Sequence, residues 1–251
     1  MDRIAIISDI HGNLAALEAA LKDIEARGIS HIYCLGDLAG KGPLSSECID
    51  LCKARCEVIV RGNWDDGLSD IQPENDHVTW QQGRIGQARL EYMKALPNTH
   101  DFVMSGKRIR LLHASHISEH HRVHQNAEYD VHLEMFQNTP FTGEDAPLPD
   151  IVGYGDIHAA YMNQLYREHK TLFNAGSVGN PLDIPLASYV ILNGNYSSED
   201  TAPFSLEFVR LPYDIDLAVK QAHESGMPGA ETYEIELRTS VYRGRQNAQR
   251  R

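Results

Sequence analysis

The sequence lacks the segments that place a protein in or across a membrane. It has no continuous apolar run of about 18 residues, the length that a membrane-spanning helix needs. Its opening segment, MDRIAIISD, is too short and too soon charged for a secretory signal peptide. These absences predict a cytoplasmic protein with no membrane partner.

The sequence also lacks the positive charge with which nucleic-acid-binding proteins hold phosphates. The formal net charge is −12, and no basic stripe is visible along the chain. The one basic cluster, residues 243–251, is predicted to be a flexible basic tail, because terminal segments of this composition commonly fray. Generic nucleic-acid binding is therefore not expected, and part of the acidic excess is free to face metal ions.

Cysteine is scarce. Three of the four cysteines recur every four residues along a predicted helix, and this spacing is neither a C-x-x-C site nor a disulfide framework. We expect free buried thiols in a reducing compartment. The four are Cys34, Cys48, Cys52 and Cys56.

Two common catalytic motifs are absent as well. There is no G-x-S-x-G nucleophile elbow, which argues against a Ser-His-Asp hydrolase. The segment GYGDIH (153–158) fails the glycine spacing of a dinucleotide-binding fingerprint and carries an Asp in the loop. Any chemistry therefore has to come from other residues.

The sequence does contain short apolar runs that alternate with helical patterns. Residues 4–8 form a continuous apolar run, which is typical of a strand covered on both faces. Asn13 is placed to cap the next helix and Gly28 to end it. This alternation predicts an α/β sheet with right-handed crossovers, in one domain over residues 1–242. Further strands are predicted at 31–37, 56–63, 150–156, 187–194 and 204–212, a strand entering a glycine-rich loop at 171–181, a hairpin at 100–115 with its turn at 105–107, and helices at 46–55, 84–96 and 214–226.

Residues 116–149 do not follow this regular pattern. They are polar and rich in histidine, then rich in proline and glycine, so they are predicted to form a surface excursion or lid. Four histidines at 116, 120, 121 and 124 could form an extra metal site. A solvated loop over an active site, with one histidine touching a phosphate, is the preferred interpretation.

Ligand-type side chains follow five of the predicted strands. In an open α/β sheet, the carboxyl ends of the strands meet at one edge, where ligands bind. Alternate residues of an extended segment point the same way, so both polar side chains of an Asp-Ile-His tripeptide can aim at one centre. This tripeptide occurs twice, and we predict that the two copies share one site. The seven candidate ligands are Asp9, His11, Asp37, Asn63, His113, Asp156 and His158.

Oxygen and imidazole ligands without thiolates favour a catalytic transition-metal site over a structural zinc. Taken singly, each residue has an ordinary explanation, such as a turn aspartate, a capping asparagine or a core histidine. Seven such residues at five strand ends exceed what one ion needs, so we predict two divalent ions with Asp37 as the bridge. Such a pair makes hydroxide near neutral pH and clamps the oxygens of a phosphoryl centre. Mn is the expected metal, with Fe, Zn, Ni or Co as alternatives.

At this point the chain resembles the calcineurin-like metallophosphoesterase superfamily, whose ordered blocks are D-x-H, G-D, G-N, a lone His and G-H-x-H. The same order is found here, and FNAGSVGNP (173–181) resembles the N-P-G-S-x-G-x-P loop of the small bacterial branch. GNWDD (62–66) and VRLPYDID (209–216) also resemble that branch of phosphodiesterases, some of which hydrolyse diadenosine tetraphosphate. The blocks are Asp9-Ile10-His11, Gly36-Asp37, Gly62-Asn63, His113 and Gly155-Asp156-Ile157-His158.

The resemblance implies a fold and a division of the ligands. The implied fold is a four-layer αββα sandwich, in which two mixed β-sheets are flanked by helices. Two divalent ions are implied, with Asp37 between them and Asn63 also orienting the phosphoryl group. The first metal would be held by Asp9, His11 and His158, and the second by Asn63, His113 and Asp156.

Two positions depart from the family pattern. Asp156 stands where the family usually has His; a carboxylate favours a harder ion such as Mn²⁺, or binds weakly enough to leave one metal in place. Trp64 stands where many members have a His that assists the leaving group, and Trp carries no useful proton. Protonation would then fall to Asp65, Asp66, His116 or water, or would be unnecessary for an acidic leaving group. Trp64 itself is predicted to stack on a nucleobase or to pack under the rim of the site.

The expected function is metal-dependent hydrolysis of a phosphodiester or a nucleotide phosphoanhydride, such as diadenosine tetraphosphate. One alternative is a broad phosphodiesterase or phosphomonoesterase. Another is a catalytically degenerate scaffold, which would lack several ligands, whereas here one is changed, and to another ligand type. The expected partner is a small phosphorylated molecule, a nucleotide in the preferred case, and a homo-oligomer is compatible with the sequence.

Overall fold

The first strand shows why the chain needs two layers of sheet. In β1 (Asp2–Ile7), Ile4 and Ile6 belong to one apolar cluster, whereas Ala5 and Ile7 belong to another. Successive side chains of a strand point to opposite faces, so β1 has to be covered on both sides. Helices cover one side and a second sheet covers the other.

This computed structural model describes residues 1–69 and 75–244, and those residues contain ten strands. Most of the strands are short and rich in β-branched or aromatic residues, as buried strands commonly are. The nine strands after β1 are β2 (His31–Cys34), β3 (Val58–Ile59), β4 (Thr99–Met104), β5 (Lys107–Leu112), β6 (Ile151–Tyr154), β7 (Tyr161–Leu165), β8 (Lys170–Asn174), β9 (Ala187–Gly194) and β10 (Ser205–Leu211).

The strands form two mixed five-stranded sheets. The first has the order β10-β9-β1-β2-β3, in which β1, β2 and β3 run parallel and β9 runs antiparallel to its neighbours. The second has the order β4-β5-β6-β8-β7, with a parallel centre of β5, β6 and β8. The parallel centres carry the carboxyl ends from which the predicted ligands follow.

The helices of the described residues lie on the outer faces of the sheets. Asn13 caps the first helix by accepting a hydrogen bond from the Ala16 amide at 3.2 Å. The eight helices are α1 (Leu14–Ala26), α2 (Ser45–Arg55), α3 (Asn63–Ser69), α4 (Asp76–Ile85), α5 (Gln87–Lys94), α6 (Tyr129–Glu134), α7 (Ile215–Glu224) and α8 (Ala230–Thr239).

Three apolar clusters define the layers. One lies between the sheets and joins Ile6 and Val190 of the first sheet to Ile109 and Phe173 of the second. Another packs α1 and α2 on the outer face of the first sheet. A third covers the outer face of the second sheet next to α6. The fold is therefore a four-layer αββα sandwich, and this prediction is confirmed.

The structure also differs from the predicted elements. A single helix was expected over residues 84–96, but Gly86, at φ +79°, separates α4 from α5. The third strand is reduced to Val58–Ile59. Five elements were not anticipated, because each is short or only weakly patterned: α3, most of α4, α6, β7 and α8.

The expected surface excursion at 116–149 is anchored by a buried arginine. Arg110 of β5 is fully buried, makes a two-pronged ion pair with Asp101, and donates a hydrogen bond to Asn138 Oδ1 at 2.9 Å. Helix α6 lies within this excursion. Of the basic tail at 243–251, the segment 245–251 lies outside the described residues, whereas Arg243 is bonded to Glu236.

Candidate metal centre

The ligand-type residues lie in the segments that directly follow the strands, at the carboxyl edge of the two sheets. Asp9 and His11 follow β1, Asp37 follows β2, and His113 follows β5. The two sheets meet here closely, because a Cβ on Gly155 would lie 2.1 Å from Ser8 Oγ and 2.5 Å from Asp9 Oδ2. The segments after β1 and β6 can therefore deliver their side chains to a common centre.

Five of the seven candidate ligands have a left-handed backbone. The φ angles run from +51° to +63°, which is uncommon for residues with a Cβ although aspartate and histidine tolerate it best. Each such residue costs of the order of 1 kcal/mol, and strain of this kind concentrates at functional sites. The five are Asp9, His11, Asp37, Asp156 and His158.

Four buried side chains form the first part of the site. Ligand atoms of Asp9, His11, Asp37 and His158 all lie within 4.8 Å of one another. His158 Nε2 is 3.2 Å from Asp9 Oδ1, and His11 Nε2 is 3.4 Å from Asp37 Oδ2. The two Asp-Ile-His tripeptides, 147 residues apart, thus contribute to one cluster.

The hydrogen bonds made by the residues of this cluster leave acceptor atoms facing one another, which suits a bound cation. His11 Nδ1 donates to the Ala39 carbonyl at 3.1 Å, and His158 Nδ1 donates to the Asn180 carbonyl at 2.6 Å. Each neutral ring then presents an Nε2 lone pair, and these two atoms lie only 3.0 Å apart. Asp9 Oδ1 is buried among them without a hydrogen-bond partner. A divalent cation would satisfy all three atoms.

A second group of candidate ligands, Asn63 and His113, lies next to the other oxygen of Asp37. His113 Nδ1 donates to the Leu35 carbonyl at 2.7 Å, and His113 Nε2 lies 3.1 Å from Asn63 Oδ1. His113 Nε2 is also 3.5 Å from Asp37 Oδ1. The two oxygens of Asp37 therefore face the two groups, as a bridging carboxylate would.

Asp156 contacts the first group through its backbone, and its carboxylate is engaged by an arginine. Its backbone amide donates to Asp9 Oδ2 at 3.2 Å. Both of its carboxylate oxygens accept hydrogen bonds from Arg122, at 2.8 and 2.6 Å. Arg122 was not anticipated from the sequence, because an arginine in a polar loop has no distinguishing pattern.

Burial and mutual charge perturb the ionisation of the cluster. Burial raises the pKa of Asp37 well above its ordinary value, and the charge of Asp9 adds to this. Burial alone would lower the pKa of His113, but Asp37, Asp9 and Asp156 raise it to about 9. Burial opposes ionisation of Asp9, whereas the nearby imidazoles of His158, His113 and His11 bring its pKa below the ordinary value. Negative charge in excess of positive charge is the electrostatic setting of a cation site.

Asp65 and Asp66, two of the candidates for protonating a leaving group, are engaged by other residues. Asp65 is fully buried, and its carboxylate accepts hydrogen bonds from the backbone amides of Asp37, Leu38 and Gly62 at 2.8 to 2.9 Å. It therefore braces the loop that carries Asp37, which does not support a role in protonating a leaving group. Asp66 is paired with His120 at 2.9 Å on the surface.

The charged groups that act on His116 belong to residues outside the ligand cluster. His116 is buried, its Nδ1 has no hydrogen-bond partner, and burial lowers its pKa. The charged groups that act on it are Glu134, His121 and Arg110, on the side of the second sheet that carries α6. This placement favours a structural role for His116.

Trp64 borders the cluster as part of the rim. Its amide donates to Asp37 Oδ1 at 2.8 Å, and its ring lies edge-on to His11 with centroids 6.0 Å apart. The indole also packs on Gly40, where an added Cβ would lie 2.5 Å from it. Trp64 is partly buried, so it supports the loop and still borders the ligand cluster.

A buried lysine near the cluster was missed by sequence reasoning. Lys41 Nζ donates to Asn180 Oδ1 at 2.6 Å, and Asn180 Nδ2 donates to Glu236 at 3.2 Å. Burial lowers the pKa of Lys41 to about 8, and its positive charge helps to lower the pKa of His11. Lys41 follows the G-D block by only a few residues, but a lysine there does not reveal its burial.

The fold and this cluster define a metal-dependent hydrolase, and the comparisons with known proteins identify the family. Residues 2–195 match the calcineurin-like phosphoesterase superfamily domain. The chain belongs to this family and is a phosphoesterase hydrolase with a buried Asp/His cluster suited to divalent metal ions.

Proteins from three organisms are similar to this chain. An uncharacterised protein of Methanocaldococcus jannaschii is 30% identical, over 90% of this chain and 93% of its own. A metallophosphoesterase from Sphaerobacter thermophilus is 25% identical with a TM-score of 0.76, over 95% of this chain and 100% of its own. A hypothetical protein from Pyrococcus horikoshii has the same fold, with a TM-score of 0.77 and 17% identity over 96% and 100% of the two chains.

Among residues 1–69 and 75–244, no helix is long and apolar enough to span a membrane.

Proposed function

We propose that this phosphoesterase hydrolyses a nucleotide phosphoanhydride or phosphodiester, with diadenosine tetraphosphate as the model substrate, by means of two divalent ions. One observation carries the proposal: the two carboxylate oxygens of Asp37 face separate groups, with His11 Nε2 3.4 Å from Oδ2 and His113 Nε2 3.5 Å from Oδ1. Mn²⁺ is the proposed metal because carboxylate and amide oxygens outnumber the imidazoles in the set.

The candidate ligands would be divided between the two ions. Asp9, His11 and His158 would hold the first ion, while Asn63, His113 and Asp156 would hold the second. Bound ions of this kind lower the pKa of water and neutralise the charge of phosphoryl oxygens. The carbonyl groups that fix His11 and His158 keep each Nε2 pointed at the centre, so the site is preorganised.

The surroundings of the cluster support an acidic leaving group. Trp64 offers no proton at the position next to Asp37, and Asp65 is committed to three backbone amides. An alkoxide leaving group needs a proton in the transition state, whereas a nucleotide phosphate is already a good leaving group. This favours a phosphoanhydride over an alkyl phosphomonoester.

Two cations near the cluster support a polyanionic substrate. Arg122 is about half exposed and pairs with Asp156 at the edge of the site. Lys41 lies below the loop of residues 176–181 and acts electrostatically on Asp9 and Asp37. We propose that both offset negative charge when the substrate and its phosphates approach.

The test is a product analysis on chelator-stripped protein. Diadenosine tetraphosphate, a nucleotide with a free terminal phosphate, and a generic phosphodiester are incubated with and without Mn²⁺. We expect metal-dependent cleavage of the dinucleotide, and the products, two ADP or AMP plus ATP, identify the bond that is cut. Mn²⁺-dependent cleavage of the generic diester alone would replace the anhydride assignment with a broad phosphodiesterase.

A matched pair of variants separates site chemistry from folding. Asn63→Ala removes a proposed ligand on the surface of the cluster, and Asn98→Ala removes a partly buried asparagine elsewhere that binds Arg61. Loss of turnover in the first and retention in the second is the expected result. Full activity of Asn63→Ala would contradict the proposed ligand set.

A further inference from the structure

The Arg122 side chain makes a two-pronged ion pair with a buried carboxylate. Nε lies 2.8 Å from Asp156 Oδ2, and Nη2 lies 2.6 Å from Oδ1. The Asp156 side chain is 3% exposed, whereas that of Arg122 is 46% exposed. The acceptor is thus part of the interior, and the donor reaches it from the solvent side.

The backbone on either side of Arg122 is fixed. Val123 is buried in the outer cluster of the second sheet, and its carbonyl accepts a hydrogen bond from Tyr154 at 2.9 Å. His121 Nδ1 lies 3.0 Å from Ser115 Oγ. The long arginine side chain can therefore leave Asp156 by rotating about its own bonds, without any movement of the loop.

Arg122 and a metal ion cannot use Asp156 in the same way at the same time. Both carboxylate oxygens are occupied by the guanidinium, and at least one has to be released to coordinate an ion. The negative charges that act on Arg122 include Asp9 as well as Asp156, so the guanidinium lies in the field of the same carboxylates. A second positive charge brought to this place would be repelled by it.

We propose that Arg122 competes with the second metal ion for Asp156 and thereby sets how readily the chain takes up that ion. This inference rests on the proposed function only through the assignment of Asp156 to the second ion. An arginine is suited to the role because its guanidinium stays charged and its planar fork matches both carboxylate oxygens. Arg122 is then a positioning residue that controls metal occupancy from outside the ligand set.

The experiment measures Mn²⁺ binding by calorimetry to chelator-stripped wild-type, Arg122→Gln and Arg122→Lys proteins. We expect the second equivalent of Mn²⁺ to bind about tenfold more tightly to Arg122→Gln than to the wild type, with the first equivalent unchanged. Arg122→Lys should fall between them, because lysine keeps the charge but not the fork. Since Arg122 is half exposed, these variants should fold, which circular dichroism checks.

A surface pair of the same geometry supplies the matched control. Arg89 holds Asp50 with Nε–Oδ1 at 2.9 Å and Nη2–Oδ2 at 2.6 Å, between α5 and α2. Arg89→Gln should leave both equivalents of Mn²⁺ unchanged. In an Asp156→Asn background, Arg122→Gln should no longer strengthen metal binding.

Each result decides the matter. A second equivalent that binds to Arg122→Gln no more tightly than to the wild type, or not at all, overturns the inference. Tighter binding that persists in the Asp156→Asn background also overturns it, because the effect would not pass through Asp156. Since ion binding is measured rather than turnover, failure to cleave any chosen nucleotide leaves this test intact.

Discussion

At the scale of single residues, the unpartnered oxygen of Asp9 is the most informative atom of the protein. It is buried, and two imidazole nitrogens approach it at 3.2 and 3.7 Å. A buried carboxylate oxygen without a partner costs roughly 1–3 kcal/mol or more, so its persistence indicates a ligand that completes it. The ligand that fits an anionic oxygen next to two nitrogen lone pairs is a cation.

Lys41 gives a prediction for the pH dependence of stability. Its pKa of about 8 in the folded chain lies below the ordinary 10.5, so the charged form is disfavoured by folding. The free-energy cost of burying charged Lys41 is fully present below about pH 8, where Lys41 is protonated in both states. Between about pH 8 and pH 10.5 the unfolded chain keeps the proton that the folded chain has lost, so stability rises with pH until the cost is gone. Relative to Lys41→Met, the wild-type free energy of unfolding should rise by about 3 kcal/mol across that window.

Chemical unfolding in the presence of chelator, at several pH values, measures this difference. Lys220→Met is the control, because Lys220 is 66% exposed. Parallel pH profiles for the wild type and Lys41→Met would show that Lys41 titrates normally in the folded chain. The prediction concerns the slope of the difference and does not depend on the loss of the Asn180 hydrogen bond.

Trp64 gives a prediction for substrate binding. If the indole stacks on a base, Trp64→Ala should raise KM for diadenosine tetraphosphate by about tenfold or more, while Trp64→Phe should keep most of the affinity. The backbone amide that binds Asp37 is retained in both variants. A fall in kcat with KM unchanged would instead show that the ring serves to hold the loop against His11. Steady-state kinetics on both variants distinguish these outcomes.

At the scale of elements, the segments that follow the two sheets approach each other closely at Gly155, which follows β6. A Cβ there would meet Ser8 Oγ at 2.1 Å and Asp9 Oδ2 at 2.5 Å, and both belong to the segment after β1. Gly155→Ala should therefore push the two Asp-Ile-His segments apart. We expect a loss of more than about 3 kcal/mol of stability, together with weaker Mn²⁺ binding.

A glycine of helix α3 is the control for this change. Gly67 lies in the helix, and apart from the helix's own backbone no atom of residues 1–69 or 75–244 lies within 4 Å of the position of an added Cβ, so Gly67→Ala should be neutral or stabilise by up to about 1 kcal/mol. Urea denaturation and metal titration of both variants give the comparison. Wild-type stability of Gly155→Ala would mean that the sheets can separate at this point without cost.

Much of the architecture could be predicted from the sequence, because buried strands and helix caps leave local sequence patterns. The run at 4–8, the cap Asn13 and the strand Ala187–Gly194 each depend on neighbours in the chain. The split at Gly86 was missed, since a glycine inside a helical pattern is often tolerated. Strand β7 was missed because its alternating exposure resembles a polar loop.

The candidate ligands could be singled out in the sequence because each follows a predicted strand. The residues around them could not, since their roles arise from contacts between distant segments. Arg122 meets Asp156 across 34 residues, and Lys41 meets Asn180 across 139. No local pattern records such pairs, and the backbone amides that occupy Asp65 were equally invisible from the sequence.

At the scale of the whole molecule, metal ions should stabilise the fold by holding the two sheets together. The proposed ligands follow strands of both sheets, and an ion bound to the folded state alone adds about 2.7 kcal/mol when present at 100 times its Kd. The melting temperature of chelator-stripped protein should therefore rise on addition of Mn²⁺. Asp9→Ala and His158→Ala should each lose this rise and also lose metal-dependent turnover.

Differential scanning calorimetry with and without Mn²⁺ tests this in the three proteins. A metal-induced rise that survives in His158→Ala alone would place the first ion elsewhere. A rise in neither variant, with both folded before metal is added, is the result expected when the two tripeptides serve one site.

The distance along the chain between the two tripeptides affects when a metal ion can bind during synthesis of the protein. His158 follows His11 by 147 residues, and at about 5–20 residues per second a ribosome needs on the order of ten seconds to make that length. During this interval the nascent chain carries Asp9, His11 and Asp37 without the imidazole that completes them. Strand β1 also lacks its neighbour β9, which is made later still. Firm metal capture should therefore be a late event in synthesis, after the second sheet and residues 187–194 have left the ribosome.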